Sequence, residues 1–127
     1  MKVSVITAVF NGEAYIQEAI DSILGQTYTD LEYIIVNDGS TDKTREILDR
    51  IQDPRVKVIH LPENQGAARC MNLAASHATG EWIAVQDADD ISLPRRLELQ
   101  VEHIRKNPKL VLVGSKIDCI SGDEGGN

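Results

Sequence analysis

Leu31-Glu32-Tyr33-Ile34-Ile35-Val36-Asn37-Asp38-Gly39-Ser40-Thr41-Asp42 is the stretch on which the fold turns. Its first half is an apolar run centred on Tyr33-Ile34-Ile35-Val36, the pattern of a strand buried on both faces, as parallel strands are. Its second half changes abruptly to small polar and turn-forming residues. Asn, Asp, Gly, Ser and Thr bond to nearby backbone and start turns and helices. Thr41 or Asp42 is the expected N-cap of a helix that carries Thr44, Ile47, Leu48 and Ile51 along one side, and Asp53-Pro54 ends it. The unit is strand, polar turn, helix.

The same unit recurs on both sides. Upstream, Val3–Ala8 is a β-branched run punctuated by Asn11-Gly12, and Ala14, Tyr15, Ile16, Ala19, Ile20, Ile23 and Leu24 recur at helical spacing before Gly25. Downstream, Val56–Leu61 is a third strand, and Ala67–Ala78 is an alanine-rich helix with Gly80 as its stop. Trp82–Val85 is a fourth strand. Ser92 as N-cap, with Pro94 in the first turn, predicts a helix to about Lys106. Leu110–Val113, extended toward Ile120, reads as a fifth strand, and Ser121–Asn127 as a Gly-rich acidic tail. Strands alternating with helices at this rhythm predict an α/β fold, a mainly parallel sheet flanked by helices. Residues 1–120 are expected to form one domain and 121–127 a flexible end.

Composition narrows the functions. The chain of 127 residues is the size of one domain and needs no disulfide or metal to fold. A formal charge of -7 argues against a nucleic-acid partner. Aromatics at 4% leave no stacking platform for bases. No apolar run is long enough for a membrane span, and the N-terminus does not read as a signal peptide. Cys70 and Cys119 have no CxxC spacing and read as buried thiols of a reducing compartment, so a cytoplasmic location is expected. The three histidines stand apart from one another and from the cysteines, which makes a zinc site unexpected.

In open α/β sheets ligands bind beyond the carboxyl ends of the strands. There the chain places Ala8, Val9, Phe10 and Asn11 after the first strand, Asn37-Asp38-Gly39-Ser40 after the second, and Asp87-Ala88-Asp89-Asp90 after the fourth. Three carboxylates in four positions repel unless a cation or an Arg neutralises them, and hard oxygen ligands suit Mg²⁺ or Mn²⁺. The plainer reading is a solvated acidic loop whose last carboxylate caps the next helix. An EF-hand is excluded, because Ser92 stands where its Gly is required. Asp38 is either a turn residue or a carboxylate that accepts the imide N–H of uracil or thymine. Arg69 is either a surface helix residue or a clamp on phosphate or sugar. Arg95 and Arg96 open a helix, where the macrodipole disfavours cations, so pairing with Asp89 or Asp90 is expected. Signatures of P-loop ATPases, dinucleotide-binding dehydrogenases, zincins and α/β-hydrolases are absent.

Taken in order, Val3–Asn11, Ser22–Tyr28, Ile35–Asp42, Asn64–Arg69, Gly80–Ile83 and Asp87–Asp90 resemble the family 2 glycosyltransferases of GT-A fold over residues 3 to about 115. The resemblance implies a Rossmann-like nucleotide-diphospho-sugar transferase fold, with the first strand between the second and fourth. It implies a nucleotide-diphospho-sugar donor, UDP- or dTDP-linked, and a divalent metal. Ala8 and Phe10 would line the base pocket, Asp38 would bond the pyrimidine, and Asp87 would face the ribose. Asp89 would bind the metal, Arg69 would lie near the nucleotide, and Glu13 would help hold the pocket. Asn37, Phe10 and Cys70 depart from the family, where a second Asp, a Tyr and an Asn are common. The implied reaction is inverting transfer to an acceptor sugar or lipid-linked glycan, which needs a general base. In this family that base lies in the acceptor-binding half. Asp118, Asp123 and Glu124 have no context that marks them as it, so the catalytic base is expected beyond Asn127. The chain is then the donor-binding half of a longer enzyme, compatible with a homodimer and with membrane association through other parts. The competing functions are a nucleotide-sugar-binding module without turnover and, less well supported, a nucleotidyltransferase. The latter would want a basic Gly-rich loop after the first strand, and Val9–Glu13 holds no Lys or Arg.

Overall fold

The computed structural model describes residues 1–107. Four strands and four helices alternate: β1 (Val3–Val9), α1 (Ile16–Leu24), β2 (Leu31–Asn37), α2 (Thr44–Asp49), β3 (Val56–His60), α3 (Ala67–Ser76), β4 (Trp82–Val85) and α4 (Arg96–Lys106). All strand pairs are parallel and the order is β3-β2-β1-β4, so β1 lies between β2 and β4 as the resemblance implies. The expected strand Leu110–Val113, the tail 121–127, Cys119 and the late carboxylates Asp118, Asp123 and Glu124 lie outside the described residues.

β2 is buried along its whole length, and β1 at all but one position. That is why their sequences are continuous apolar runs and not alternating ones. One face packs Val3, Val5, Val9, Tyr33 and Ile35 against Ile16, Ile20, Ile23, Leu48, Leu97 and Val101. The other packs Ile6, Ile34 and Val36 against Cys70 and Ala74 of α3. Small residues on α3 let it lie close to the sheet.

Three helix starts move from the sequence expectation. α1 begins at Ile16, because Tyr15 and Ile16 both donate to the Gly12 carbonyl and close a turn there first. α2 begins at Thr44, and Asp42, one of the two expected caps, accepts the Thr44 N–H at 2.9 Å from just outside it. α4 begins at Arg96, beyond Pro94. Ser92 does not cap it: its hydroxyl donates to Gln86 Oε1 at 2.7 Å. The acceptor for the α4 start comes instead from Gln26, whose Oε1 takes the Leu97 N–H at 3.0 Å while its Nε2 donates to the Ser22 and Leu93 carbonyls. At the far end of α3, Gly80 does not stop the helix, which ends at Ser76. Gly80 is where the chain passes over β1: an added Cβ would lie 2.7 Å from the Lys2 carbonyl oxygen.

A buried polar cluster ties the lower end of the sheet together. Glu32 Oε2 accepts the Ser4 hydroxyl at 2.5 Å and the Thr79 N–H at 2.6 Å, and Lys2 Nζ stands 3.6 Å from Oε1. Burial alone would raise the Glu32 carboxyl. The Ser4 hydroxyl, the Thr79 amide and the Lys2 ammonium outweigh burial and hold it at about 2. Its folded value thus lies below its ordinary 4.5, so its contribution is present above that value and is lost as pH falls from about 4.5 toward 2. Glu32→Gln is expected to cost roughly 1.5–2 kcal/mol at neutral pH, the scale of a hydrogen bond to a charged group. Thermal unfolding of the variant should fall less steeply than wild type across that acid window. Parallel curves would mean that Glu32 adds no pH-dependent stability.

Candidate functional site

The parallel order brings the carboxyl ends of β1, β2 and β4 to one edge of the sheet, with β1 in the middle. A cavity of about 170 Å³ opens there, lined by Ala8, Val9, Phe10, Asp38, Asn64, Gly66 and Ala67. Whole-ligand pockets usually hold roughly 300–1,000 Å³, so this one is too small to enclose a whole nucleotide-sized ligand. Phe10 is 45% exposed at its mouth. Ala8, Phe10 and Asp38 are the residues that the resemblance places in the base pocket. Asn64, Gly66 and Ala67, within the Asn64–Arg69 stretch, join them in the cavity wall.

Asp38 forms the buried floor. Its N–H donates to the Val9 carbonyl at 2.8 Å. Its Oδ1 accepts the Gln65 N–H at 2.6 Å and its Oδ2 the Gly66 N–H at 3.1 Å. The carboxylate therefore pins the β3–α3 loop against the end of β2. Cys70 lies beneath it, fully buried. Burial, and then the hydrogen bond and charge of Asp38, push the thiol up to about 11. The Cys70 thiol is thus neutral beside the Asp38 carboxylate. A carboxylate has about four lone-pair sites, so Asp38 has acceptor capacity beyond these two N–H groups. Gly39 follows with φ +69, and an added Cβ would meet the Glu63 carbonyl carbon at 2.4 Å, so the two loops touch backbone to backbone.

Glu13 is exposed and outside the cavity. Its carboxylate accepts the Lys43 N–H at 3.0 Å, while the Glu13 N–H donates to Asp42 Oδ2 at 3.1 Å. This reciprocal clamp holds the β1–α1 loop to the β2–α2 loop. Arg69 is exposed in the first turn of α3, two residues past Ala67 of the cavity wall, and makes no hydrogen bond or ion pair among the described residues.

On the other side of β1, the acidic loop is built on Gln86. Thr7 Oγ1 donates to the Gln86 carbonyl at 2.5 Å. Gln86 Nε2 donates to the Asp90 carbonyl at 2.7 Å, and its Oε1 accepts from Ser92 and Arg96. Asp87, Asp89 and Asp90 offer carboxylate oxygens that all lie within 4.8 Å of one another. Desolvation, then the charges of Asp87 and Asp89, raise the Asp90 carboxyl, opposed by Arg96. Three hard oxygen donors at this spacing fit a divalent cation of the Mg²⁺ or Mn²⁺ kind. The expected ion pairs of Arg95 and Arg96 with Asp89 or Asp90 are not formed. Arg95 pairs with Glu98 at 2.9 Å. Arg96 turns inward to Gln86, Ser92 and the Val85 carbonyl, where burial lowers its guanidinium and the charges of Asp90 and Asp87 oppose that. Asp87 and Asp89 are therefore left exposed, without an arginine ion pair.

A family model described as "Glycosyl transferase family 2" matches residues 4–125. The chain belongs to glycosyltransferase family 2. An uncharacterized glycosyltransferase of Haemophilus influenzae is 40% identical over 126 residues, which cover 98% of this chain and 39% of that one. Among solved structures, S. aureus TarS 1-349 in complex with UDP-GlcNAc superposes with a TM-score of 0.80 at 32% identity, over 85% of this chain and 32% of that one. The mannosyltransferase PcManGT from Pyrobaculum calidifontis, in complex with GDP-Man and Mn²⁺, gives 0.71 at 33% identity, over 80% and 32%. The fold of this family 2 chain is GT-A, and the chain spans about two fifths of the length of the first of these relatives. No helix among the described residues is long and apolar enough to cross a membrane.

Proposed function

We propose that this chain is the donor-binding half of an inverting glycosyltransferase that takes a nucleotide-diphospho-sugar together with Mn²⁺ or Mg²⁺. One observation carries the reading: the cavity and the three-carboxylate loop leave the same sheet edge on the two sides of β1. A base-sized pocket beside an outward-facing negative cluster suits a ligand with a planar end and a diphosphate that needs a cation. Relatives that hold UDP-GlcNAc, and GDP-Man with Mn²⁺, support it.

Ala8 and Phe10 pack on the base, and the remaining acceptor site of Asp38 takes a pyrimidine imide N–H, which favours a UDP- or dTDP-linked donor. Asp87 faces the ribose, Asp89 holds the cation, and Arg69 supplies positive charge near the nucleotide. Glu13 acts indirectly, by clamping the loops that carry Phe10 and Asp38. When bound, the cation serves as Lewis acid on the leaving diphosphate. The acceptor is a sugar or lipid-linked glycan, and the base that deprotonates its hydroxyl belongs to the acceptor-binding part of the enzyme.

The test is calorimetric titration of the chain, in Mn²⁺, with UDP-GlcNAc, UDP-glucose, dTDP-glucose, GDP-mannose and ADP-glucose. Binding of a uridine or thymidine donor, with the adenosine donor weaker, is expected. Tighter binding of GDP-mannose would replace the pyrimidine preference, and no binding of any of the five would overturn the donor reading.

A further inference from the structure

His60 sits at the head of a directed hydrogen-bond chain that ends at Asn11, the residue after Phe10 of the cavity wall. Its Nε2 is 2.8 Å from Asp49 Oδ1, and its Nδ1 is 3.0 Å from Asn37 Nδ2. Asn37 Oδ1 accepts the Ser40 N–H at 3.3 Å. Ser40 Oγ accepts the Asn11 N–H at 2.9 Å, and Asn11 Oδ1 accepts the Thr41 N–H at 2.8 Å. Asn11 is the residue after Phe10 and holds a positive φ of 51. Asn37 is the residue before Asp38.

The polarity of this chain is fixed at its far end. The Ser40 backbone N–H can only donate, so the Asn37 side chain must turn its oxygen toward Ser40 and its NH₂ toward His60. The NH₂ can only donate, so His60 Nδ1 must be the unprotonated nitrogen, and Nε2 carries the proton to Asp49. An imidazolium would aim Nδ1–H at the Asn37 NH₂. Flipping the Asn37 amide to meet it would aim NH₂ at the Ser40 N–H. Either way, two donors face each other at a buried Asn37. The elements that pack most on β3 are β2 and α2. Of the charged groups on α2 (Arg45, Glu46 and Asp49), Asp49 reaches the ring, and Arg45 stands 3.8 Å from its other oxygen. Lys57, on β3 itself, is an odd number of positions away and points to the opposite face.

We propose that His60 is a positioning residue for the nucleotide pocket: its neutral ring sets the Asn37 amide and, through Ser40, the Phe10–Asn11 loop, so that protonating His60 weakens nucleotide binding. The proposal rests on the donor-binding reading above. It also gives Asn37 a specific meaning. An Asp at this position would accept from both Ser40 and a charged His60, and would reverse the sign of the pH dependence.

Two readouts test it on the whole chain. In calorimetry, the probes are UDP-GlcNAc and GDP-mannose with Mn²⁺, whose diphosphates carry no group that titrates between about pH 5.5 and 7.5. Wild-type affinity should fall about tenfold from the upper to the lower value, within the usual range of coupling between linked sites. Acid effects on the carboxylate loop are common to all variants and cancel in the comparison. Asn37→Asp should bind as well or better at the lower pH, and His60→Gln, whose amide oxygen accepts the Asn37 NH₂ without titrating, should lose this component. Identical pH profiles for the three proteins would overturn the proposal. In ¹⁵N NMR of the wild type without nucleotide, His60 should be the Nε2–H tautomer near neutrality, and the Ser40 and Asn11 amide signals should move with its titration. An Nδ1–H tautomer, or amides that ignore the titration, would overturn it even if every variant binds. If no nucleotide-sugar binds at any pH, the donor reading fails, and the NMR result decides the positioning of the loop by itself.

Discussion

Asp38→Ala is expected to abolish measurable nucleotide-sugar binding and to loosen the β3–α3 loop at the same time. The carboxylate accepts two backbone N–H groups, and the substitution leaves the Gln65 and Gly66 donors without a partner at the cavity floor. Each such loss is on the order of 1–3 kcal/mol, and the ligand bond is lost in addition, so affinity should fall by a factor of about 100 or more. Asp38→Asn separates the two parts. An amide has one oxygen, so it can keep either Gln65 or Gly66 but not both, and its NH₂ would face the other donor. It should therefore also fail to bind, with a smaller loss of thermal stability than Asp38→Ala. Calorimetry and thermal unfolding on both variants check this. If both keep wild-type affinity, Asp38 is a turn residue and the cavity is not the base site.

The sheet was legible because its strands are buried on both faces. β1 and β2 had to be written as nearly unbroken apolar runs, and the polar residues that end them mark the sheet edge. What local sequence could not carry was capping from a distance. The acceptor for the α4 start belongs to Gln26, which is 71 positions away from Leu97, so Ser92 and Pro94 suggested a start that the chain does not use. The same contact explains Ser22–Tyr28 as a joint. Thr27 donates its N–H to the Pro94 carbonyl at 2.9 Å and its hydroxyl to Glu98 at 2.6 Å, which fixes α4 and with it the acidic loop behind β4.

The site was legible in part for the same reason. Rules about strand ends pick out Phe10, Asp38 and Asp87–Asp90, because those positions follow from topology alone. Which atoms each carboxylate already serves depends on loops that meet only in three dimensions. Glu13 meets Lys43 across 30 positions, and Asp38 meets Gln65 across 27. His60 had no signal of its own. A single His at the end of a strand is ordinary, and only its pairing with Asn37 and Asp49 gives its protonation state a consequence.

Asp89→Ala is expected to uncouple metal from nucleotide. Asp87, Asp89 and Asp90 hold their oxygens close together, and neither nearby Arg pairs with them. A diphosphate brought to the same sheet edge adds further negative charge, and like charges at these distances repel by about 1 kcal/mol per pair even at the dielectric constant of water. A divalent cation held by Asp89 would reverse the sign of both interactions. Each ligand should then raise the affinity of the other by the same factor, and linked sites typically differ by 5–150-fold, about 1–3 kcal/mol. Arg96 is tied to Gln86, Ser92 and Val85 and forms no ion pair with the loop, so its charge offsets only part of the repulsion between the carboxylates. The measurement is a donor titration of wild type and Asp89→Ala, each in Mn²⁺ and in EDTA. Wild type should bind tightly only with Mn²⁺, and the variant should bind weakly and equally in both. Equal affinity in all four titrations would leave Asp87-Ala88-Asp89-Asp90 as a solvated loop ahead of α4, with the diphosphate held by other groups.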